Sequence, residues 1–325
     1  MIVGKDFQAW LGDRPRQRRT QAAINAFATT WRNGPVHRQF DEALAALPAQ
    51  SAEAIAQAMR ALFADHGWVG TLIDSLAGAM ASDPFFDPPF GAVKTPVHNG
   101  LLVFQDPRVS IAVGVSSAAQ LAARKSGPRG PTSISFTGKM TVLKFVQAGD
   151  TLLSFWEAPP ITAEFAAGSA GACAPAGSRR MADGDILIVD GRRQAYVIEH
   201  ARSNLVLLQA EIALDQAPLS VDYDSASLSY VGCAATGDSA SRIQMIATLL
   251  RRLGGDGVFD AIAPFLDHPD FFVRWHVMKE LLGIDGAAAL PHLKRMAARD
   301  PHPDARRAAR KVLDALAAPR SRKAA

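Results

Sequence analysis

The nine residues Asp183-Gly184-Asp185-Ile186-Leu187-Ile188-Val189-Asp190-Gly191 set four consecutive aliphatic side chains between two Asp/Gly turns. Four residues are too few for a helix that could bury them, and β-branched residues bounded by turn signals predict a buried strand. Similar short runs lie on both sides. LLVF at 101–104, VSIAVGV at 109–115, SISF at 133–136 and MTVLKFV at 140–146 precede it, with TLLSFWE at 151–157. AYVIEH at 195–200 and NLVLLQAEI at 204–212 follow. Seven or eight short strands with regular turns suit a sandwich or closed barrel better than alternating βαβ units. The Gly/Ala/Ser run from Ala166 to Ser178 is expected to be an exposed loop within this region.

The flanks have a different periodicity. Ile24, Phe27 and Trp31 share one helical face, as do Ile55, Met59, Leu62 and Phe63, with Ser51 placed to cap the second helix. Asp83-Pro84 and Pro88-Pro89 end this helical part, because proline removes a backbone donor and holds the preceding residue extended. Beyond Pro218 a helix is expected from about residue 239, with Ile243, Ile246, Leu250 and Leu253 on one stripe. Pro269, Val273, Arg274 and Leu281 recur 32 residues later as Pro301, Ala305, Arg306 and Leu313, with Asp267 and Asp300 just ahead. The expected organisation is a helical region over 1–90, a barrel over 91–217 and a linker over 218–238, then helical repeats over 239–317 and a basic tail over 318–325.

The turn and strand at 183–191, with Ala148-Gly149-Asp150 before TLLSFWE, resemble the two motifs of a cupin barrel. The 32-residue recurrence resembles short HEAT repeats. These resemblances imply an α+β protein: a central cupin-like barrel, a double-stranded β-helix, between an N-terminal helical region and a C-terminal HEAT-like α-hairpin array. They imply that Asp and Arg tie neighbouring repeats together, and two and a half hairpins are too few to close a core alone, so the repeats are expected to dock elsewhere.

Metal-binding cupins carry a His-x-His pair and a further His and carboxylate. The matching positions here hold Phe155 and Glu157, Ala195 or Gln194, and Ile161 or Thr162. Phe, Ala and Ile offer no lone pair to a divalent ion, so the family's metal site is not expected and no cofactor is predicted. Glu157 shares a strand face with Leu153 and Phe155, which the alignment points inward. It is the candidate general acid/base or ligand anchor, the bland reading being an ion pair with Arg192 or Arg193 or a place at the rim in water. Phe155, Glu157, Gln194, Tyr196 and His200 are the expected ligand-binding set. A non-standard Fe, Mn or Zn site of His98, Glu157 and His200 is the metalloenzyme alternative.

Phe271, Phe272 and Trp275, beside Pro269, either pack internally, the preferred reading, or offer a partner surface with Arg306 and Arg310. The net charge of +4 is carried at the ends: Arg14, Arg16, Arg18 and Arg19 near the start, and seven Lys/Arg in residues 301–325. Those seven, Arg306, Arg307, Arg310, Lys311, Arg320, Arg322 and Lys323, would serve a nucleic-acid reading, but no DNA-reading motif accompanies them. Gly127 and Gly130 belong to a turn-rich loop, not a phosphate cradle, and no nucleophile elbow, dinucleotide fingerprint or HExxH occurs. Cys173 and Cys233, 60 residues apart, form no metal-ligand pair and read as free thiols. With no apolar run of membrane-spanning or signal-peptide length, the chain reads as cytoplasmic. The leading expectation is a non-catalytic binding protein: a metal-free barrel takes a small molecule or peptide and the repeats meet a protein partner. Homo-oligomerisation is left open.

Overall fold

The computed structural model describes residues 5–317 apart from 49, 127–132 and 163. The basic tail at 318–325 and the glycine-rich loop with Gly127 and Gly130 lie outside the described residues. Five helices come first: α1 (Lys5–Gly12), α2 (Arg14–Arg32), α3 (Pro35–Ala45), α4 (Ala52–Leu62) and α5 (Gly67–Ser82). Ser51 caps α4 through its hydroxyl, which accepts from the Ala54 N–H at 3.2 Å. Ile55, Met59 and Phe63 are fully buried against the barrel.

The barrel strands are β1 (Gly91–Lys94), β2 (His98–Asp106), β3 (Val109–Ser116), β4 (Ser133–Phe136), β5 (Met140–Gln147) and β6 (Leu152–Glu157), then β7 (Ala174–Arg180), β8 (Ile186–Asp190), β9 (Gln194–His200) and β10 (Leu205–Ile212). Helix α6 (Ala118–Ser126) joins β3 to β4. One sheet runs β1-β2-β3-β10-β5-β8; the facing sheet runs β7-β6-β9, with β4 alongside β9. Counted from β3 to β10, the orders are first-eighth-third-sixth and second-seventh-fourth-fifth, the wiring of an eight-stranded jelly roll, which is the cupin-like barrel.

Two stretches differ from the sequence reading. The segment 218–238, expected as a linker, contains β11 (Leu219–Asp224) and β12 (Tyr230–Ala235), which extend the smaller sheet through β4. Alternation puts Leu219, Val221 and Tyr223 into a core while Ser220, Asp222 and Asp224 face outward. The second half of the expected loop at 166–178 belongs to β7, an edge strand whose seven residues are all exposed, so no apolar alternation marks it.

The two motif turns are bolted together. The Asp183 carboxylate accepts from the Ala148 N–H at 2.7 Å, and the Gly184 N–H donates to the Phe145 carbonyl at 2.7 Å. Gly149 (φ 61°) is required, since a Cβ there would sit 2.5 Å from the Ser203 carbonyl oxygen. Asp150 follows it in the same left-handed region and pairs with Arg180 and Arg202.

The C-terminal part comprises α7 (Asp238–Leu253), α8 (Val258–Ile262), α9 (Phe271–Ile284), α10 (Gly286–Arg299) and α11 (Pro303–Ala317). The 32-residue recurrence is physical. Arg274 donates to the carbonyls of His268 and Pro269, and Arg306 donates to those of Asp300 and Pro301, the same geometry one repeat on. Arg274 also crosses to the next repeat, where Asp300 accepts from Nε and Nη2 at 2.9 and 2.7 Å. Helix α7 buries Ala240 and Ala247 with Ile243 and Leu250. Ile246 and Leu253, expected on that stripe, face outward with Met245 and Leu249; the buried face turned to α9 is the one carrying Ala240 and Ala247.

Candidate functional site

The central strands β5 and β10 of the larger sheet are buried on both faces, and their two faces have different destinations. Val142, Leu208, Ala210 and Ile212 pack towards the N-terminal helices, whereas Leu143, Phe145, Leu205 and Leu207 turn inward. Leu153, Leu187, Phe155, Tyr196 and Ile198 meet this inner set. Half of the lumen is therefore a packed apolar plug.

The other half is open and lined by both polar and apolar side chains. A cavity of about 540 Å³ reaches from the β8–β9 turn to α6. Thr141 stands between Glu211 and Val189 in the strand register, and with Gln194, Gln209 and Tyr196 forms one end. Ser133, Ser135 and Thr137 line the side beside β4, and Leu121, Arg124 and Lys125 of α6 form the other end. The Glu211 carboxylate accepts from the Gln209 amide at 2.9 Å and lies 3.6 Å from the Lys139 ammonium. Burial, reinforced by the negative charge of Glu211, pushes the Tyr196 phenol up to about 12, so it is a neutral hydroxyl at physiological pH. Lys125 is held by Glu199 at 2.8 Å, while Arg124 has no ion-pair partner among the described residues.

Of the expected ligand-binding residues, Gln194 and Tyr196 line this cavity. Phe155 belongs to the apolar plug instead. Glu157 ends β6 at the exposed rim, 3.5 Å from the Gln194 amide nitrogen; Arg192 and Arg193 pair with Asp190, and Arg192 also with Glu53. His200 is exposed at the far end of the same ladder, opposite Leu152. The register separates it from Glu157 by five residue steps, roughly 17 Å. His98 sits on β2, outside the eight-stranded barrel, with Nδ1 3.0 Å from the Ser116 hydroxyl. Burial lowers its pKa. The structure thus does not bring His98, Glu157 and His200 together, because they occupy a flanking strand and opposite ends of a ladder.

The positions that would carry a cupin metal do not fit one either. Ala195 and Ile161 are buried in the core on the outer side of the smaller sheet, and Phe155 has no donor atom. Among the described residues no three His, Cys, Asp or Glu side chains are grouped to hold an ion. The polar lumen residues Ser133, Ser135, Thr137, Thr141, Gln209 and Glu211 were not among those expected. For Gln209 and Glu211 the signal was the switch from Leu to Gln and Glu along one face of LVLLQAEI, a face the sequence does not identify as interior.

The expected partner surface is occupied internally. Phe271 stacks on His302 at 3.5 Å with rings 4° from parallel, and Phe271 and Phe272 pack against the barrel's outer core beside Phe165 and Tyr230. His302 Nε2 donates to the Phe165 carbonyl, while Nδ1 accepts from the Asp304 N–H, which defines a neutral tautomer. Trp275 packs within the repeats. Arg306 and Arg310 cap carbonyls at the end of α10, and Arg307 pairs with Asp304, so these three arginines bind protein atoms first. Cys173 is buried and Cys233 exposed. No helix of the described residues is long and apolar enough to cross a membrane.

A family model for HEAT repeats matches residues 233–314. No curated protein matches the chain. Among solved structures it is similar to ectoine synthase from P. lautus, at 14% identity over 38% of this chain and 69% of that one, with a TM-score of 0.23. A cupin domain from Bordetella pertussis matches at 15% identity over 37% and 97%, TM-score 0.21. KdgF from Halomonas sp. matches at 13% identity over 38% and 90%, TM-score 0.22. Strand order on one side and the repeat match on the other lead to one description: a cupin-like barrel joined to HEAT-like helical repeats behind an N-terminal helical region.

Proposed function

We propose that the barrel is a metal-independent binding module for a small polar molecule, held in the open half of the lumen. The observation that carries this is the division of the lumen. An apolar plug of Leu143, Phe145, Leu153, Leu205 and Leu207 closes one half, and hydroxyl, amide and carboxylate groups converge on the 540 Å³ left in the other. A site of that size suits a metabolite rather than a folded partner. The half-buried Tyr196 side chain lines the cavity and its hydroxyl makes no hydrogen bond among the described residues, which leaves it free for a ligand. Glu157 takes no part in this reading, since it is exposed at the rim.

The test is capture from a polar metabolite extract with EDTA present, followed by desalting, denaturation and mass spectrometry of what is released. Wild type and Glu157→Gln are expected to release the same mass, and Thr141→Phe, which fills the cavity, to release none. Capture abolished by EDTA, or capture undiminished in a folded Thr141→Phe protein, would refute the reading.

A further inference from the structure

We infer that the lumen selects a dipolar molecule, a primary amine at one end and a carboxylate at the other, and this inference rests on the binding role proposed above. Side chains of opposite sign line the two ends of the cavity, Glu211, which also pairs with Lys139, at one and Arg124 at the other. At the β8–β9 end, Thr141 and Glu211 are direct cross-strand partners with both side chains inward, so their Cβ atoms are about 5 Å apart. The phenol of Tyr196 is close enough to feel the Glu211 charge.

The acceptor capacity there is mostly unused. A carboxylate has about four acceptor positions. Glu211 commits one to Gln209 and contacts Lys139 only at 3.6 Å. The hydroxyls of Thr141 and Tyr196 have no hydrogen-bond partner among the described residues. An ammonium group brings three donors and no acceptor, which matches one carboxylate and two hydroxyl oxygens.

At the α6 end the sign reverses. Arg124 lines the cavity with no ion pair or hydrogen bond among the described residues, whereas its neighbour Lys125 is anchored on Glu199. A guanidinium's planar donors fit a carboxylate in a bidentate pair. The distance between the ends sets the ligand's length. Gln194 to Ile198 along β9 is four residue steps, about 13 Å at ~3.3 Å each. The Arg124 and Glu211 side chains span part of that, which leaves room for a short ω-amino carboxylate.

The experiment is titration calorimetry in EDTA with 4-aminobutanoate, 5-aminopentanoate and 6-aminohexanoate, alongside hexanoate and hexylamine, which each lack one charge. At least one member of the series is expected to bind at least tenfold more tightly than either single-charge analogue. Glu211→Gln should remove the advantage over hexanoate, and Arg124→Ala the advantage over hexylamine. Glu157→Gln, at the exposed rim, should bind as wild type, and far-UV circular dichroism of Glu211→Gln and Arg124→Ala matching wild type guards against a folding artefact. Hexanoate or hexylamine binding equally well would overturn the dipolar inference. So would failure of the whole series while the extract experiment still yields a captured mass, and in that case the binding role survives. Failure of the series together with no captured mass removes both.

Discussion

Replacing Arg274 with Ala should destabilise the helical repeats more than any exposed arginine substitution. Its guanidinium makes four hydrogen bonds of 2.7–2.9 Å, two to Asp300 and two to the carbonyls of His268 and Pro269. The Arg274 and Asp300 side chains are only 7% and 4% exposed. Truncation leaves the Asp300 carboxylate buried with the His302 N–H as its remaining partner. Removing one member of a buried pair costs about 3–5 kcal/mol, most of it the penalty for the stranded charge. Arg274→Met combined with Asp300→Leu removes both charges and should therefore lose less than Arg274→Ala alone. Arg295→Ala is the control: its partner Asp267 is 3.7 Å away, the two side chains are 55% and 80% exposed, and such pairs contribute about 1 kcal/mol or less. Urea unfolding followed by far-UV circular dichroism reads the helical transition. With a slope of about 2 kcal/mol/M, a loss of about 4 kcal/mol lowers the midpoint by about 2 M. A shift for Arg274→Ala no larger than that for Arg295→Ala, or a double variant weaker than the single, would refute the reasoning.

Gly114→Ala places a Cβ 2.5 Å from the His98 ring and 2.9 Å from the Asn99 carbonyl oxygen, so it should cost about 1–3 kcal/mol in a urea melt, with His98→Ala restoring part of the loss; no interaction between the two substitutions would argue against this packing. In an absorbance titration of the tyrosines, Tyr196 should ionise at about 12, and Glu211→Gln should bring it down, because it removes the negative charge that opposes the phenolate. The raised value means that the stability Tyr196 contributes is fully present below the ordinary phenol value near 10 and lost as the pH rises towards 12. A thiol reagent should modify Cys233 quickly and Cys173 only on unfolding, since Cys173 is buried and its burial pushes the thiol pKa up; equal rates in the native protein would contradict its placement.

Local chemistry alone determined the strands whose apolar runs end in Gly, Asp or Pro, and the recurrence of Pro269 and Arg274 at Pro301 and Arg306. Those signals are short-range: a turn residue, an alternation, a repeated spacing. Strand β11 carried the same alternation in LSVDYD, but Pro218 and the turn-rich residues after it led to a linker assignment. Strand β7 had no such signal, because an exposed edge needs no apolar face, and its place comes from pairing with β6. The sequence placed Gln194 and Tyr196 in the site, and tertiary structure decided the rest of it. Strand β10 is buried on both sides, so the polar Gln209 and Glu211 on one face of LVLLQAEI do not by themselves identify the interior; only closure of the barrel sets them in the lumen and Leu208 and Ala210 against the helices. The same closure carried Glu157 past the rim into solvent and left Tyr196 and Thr141, two residues without a chemical motif, facing the space a ligand would fill.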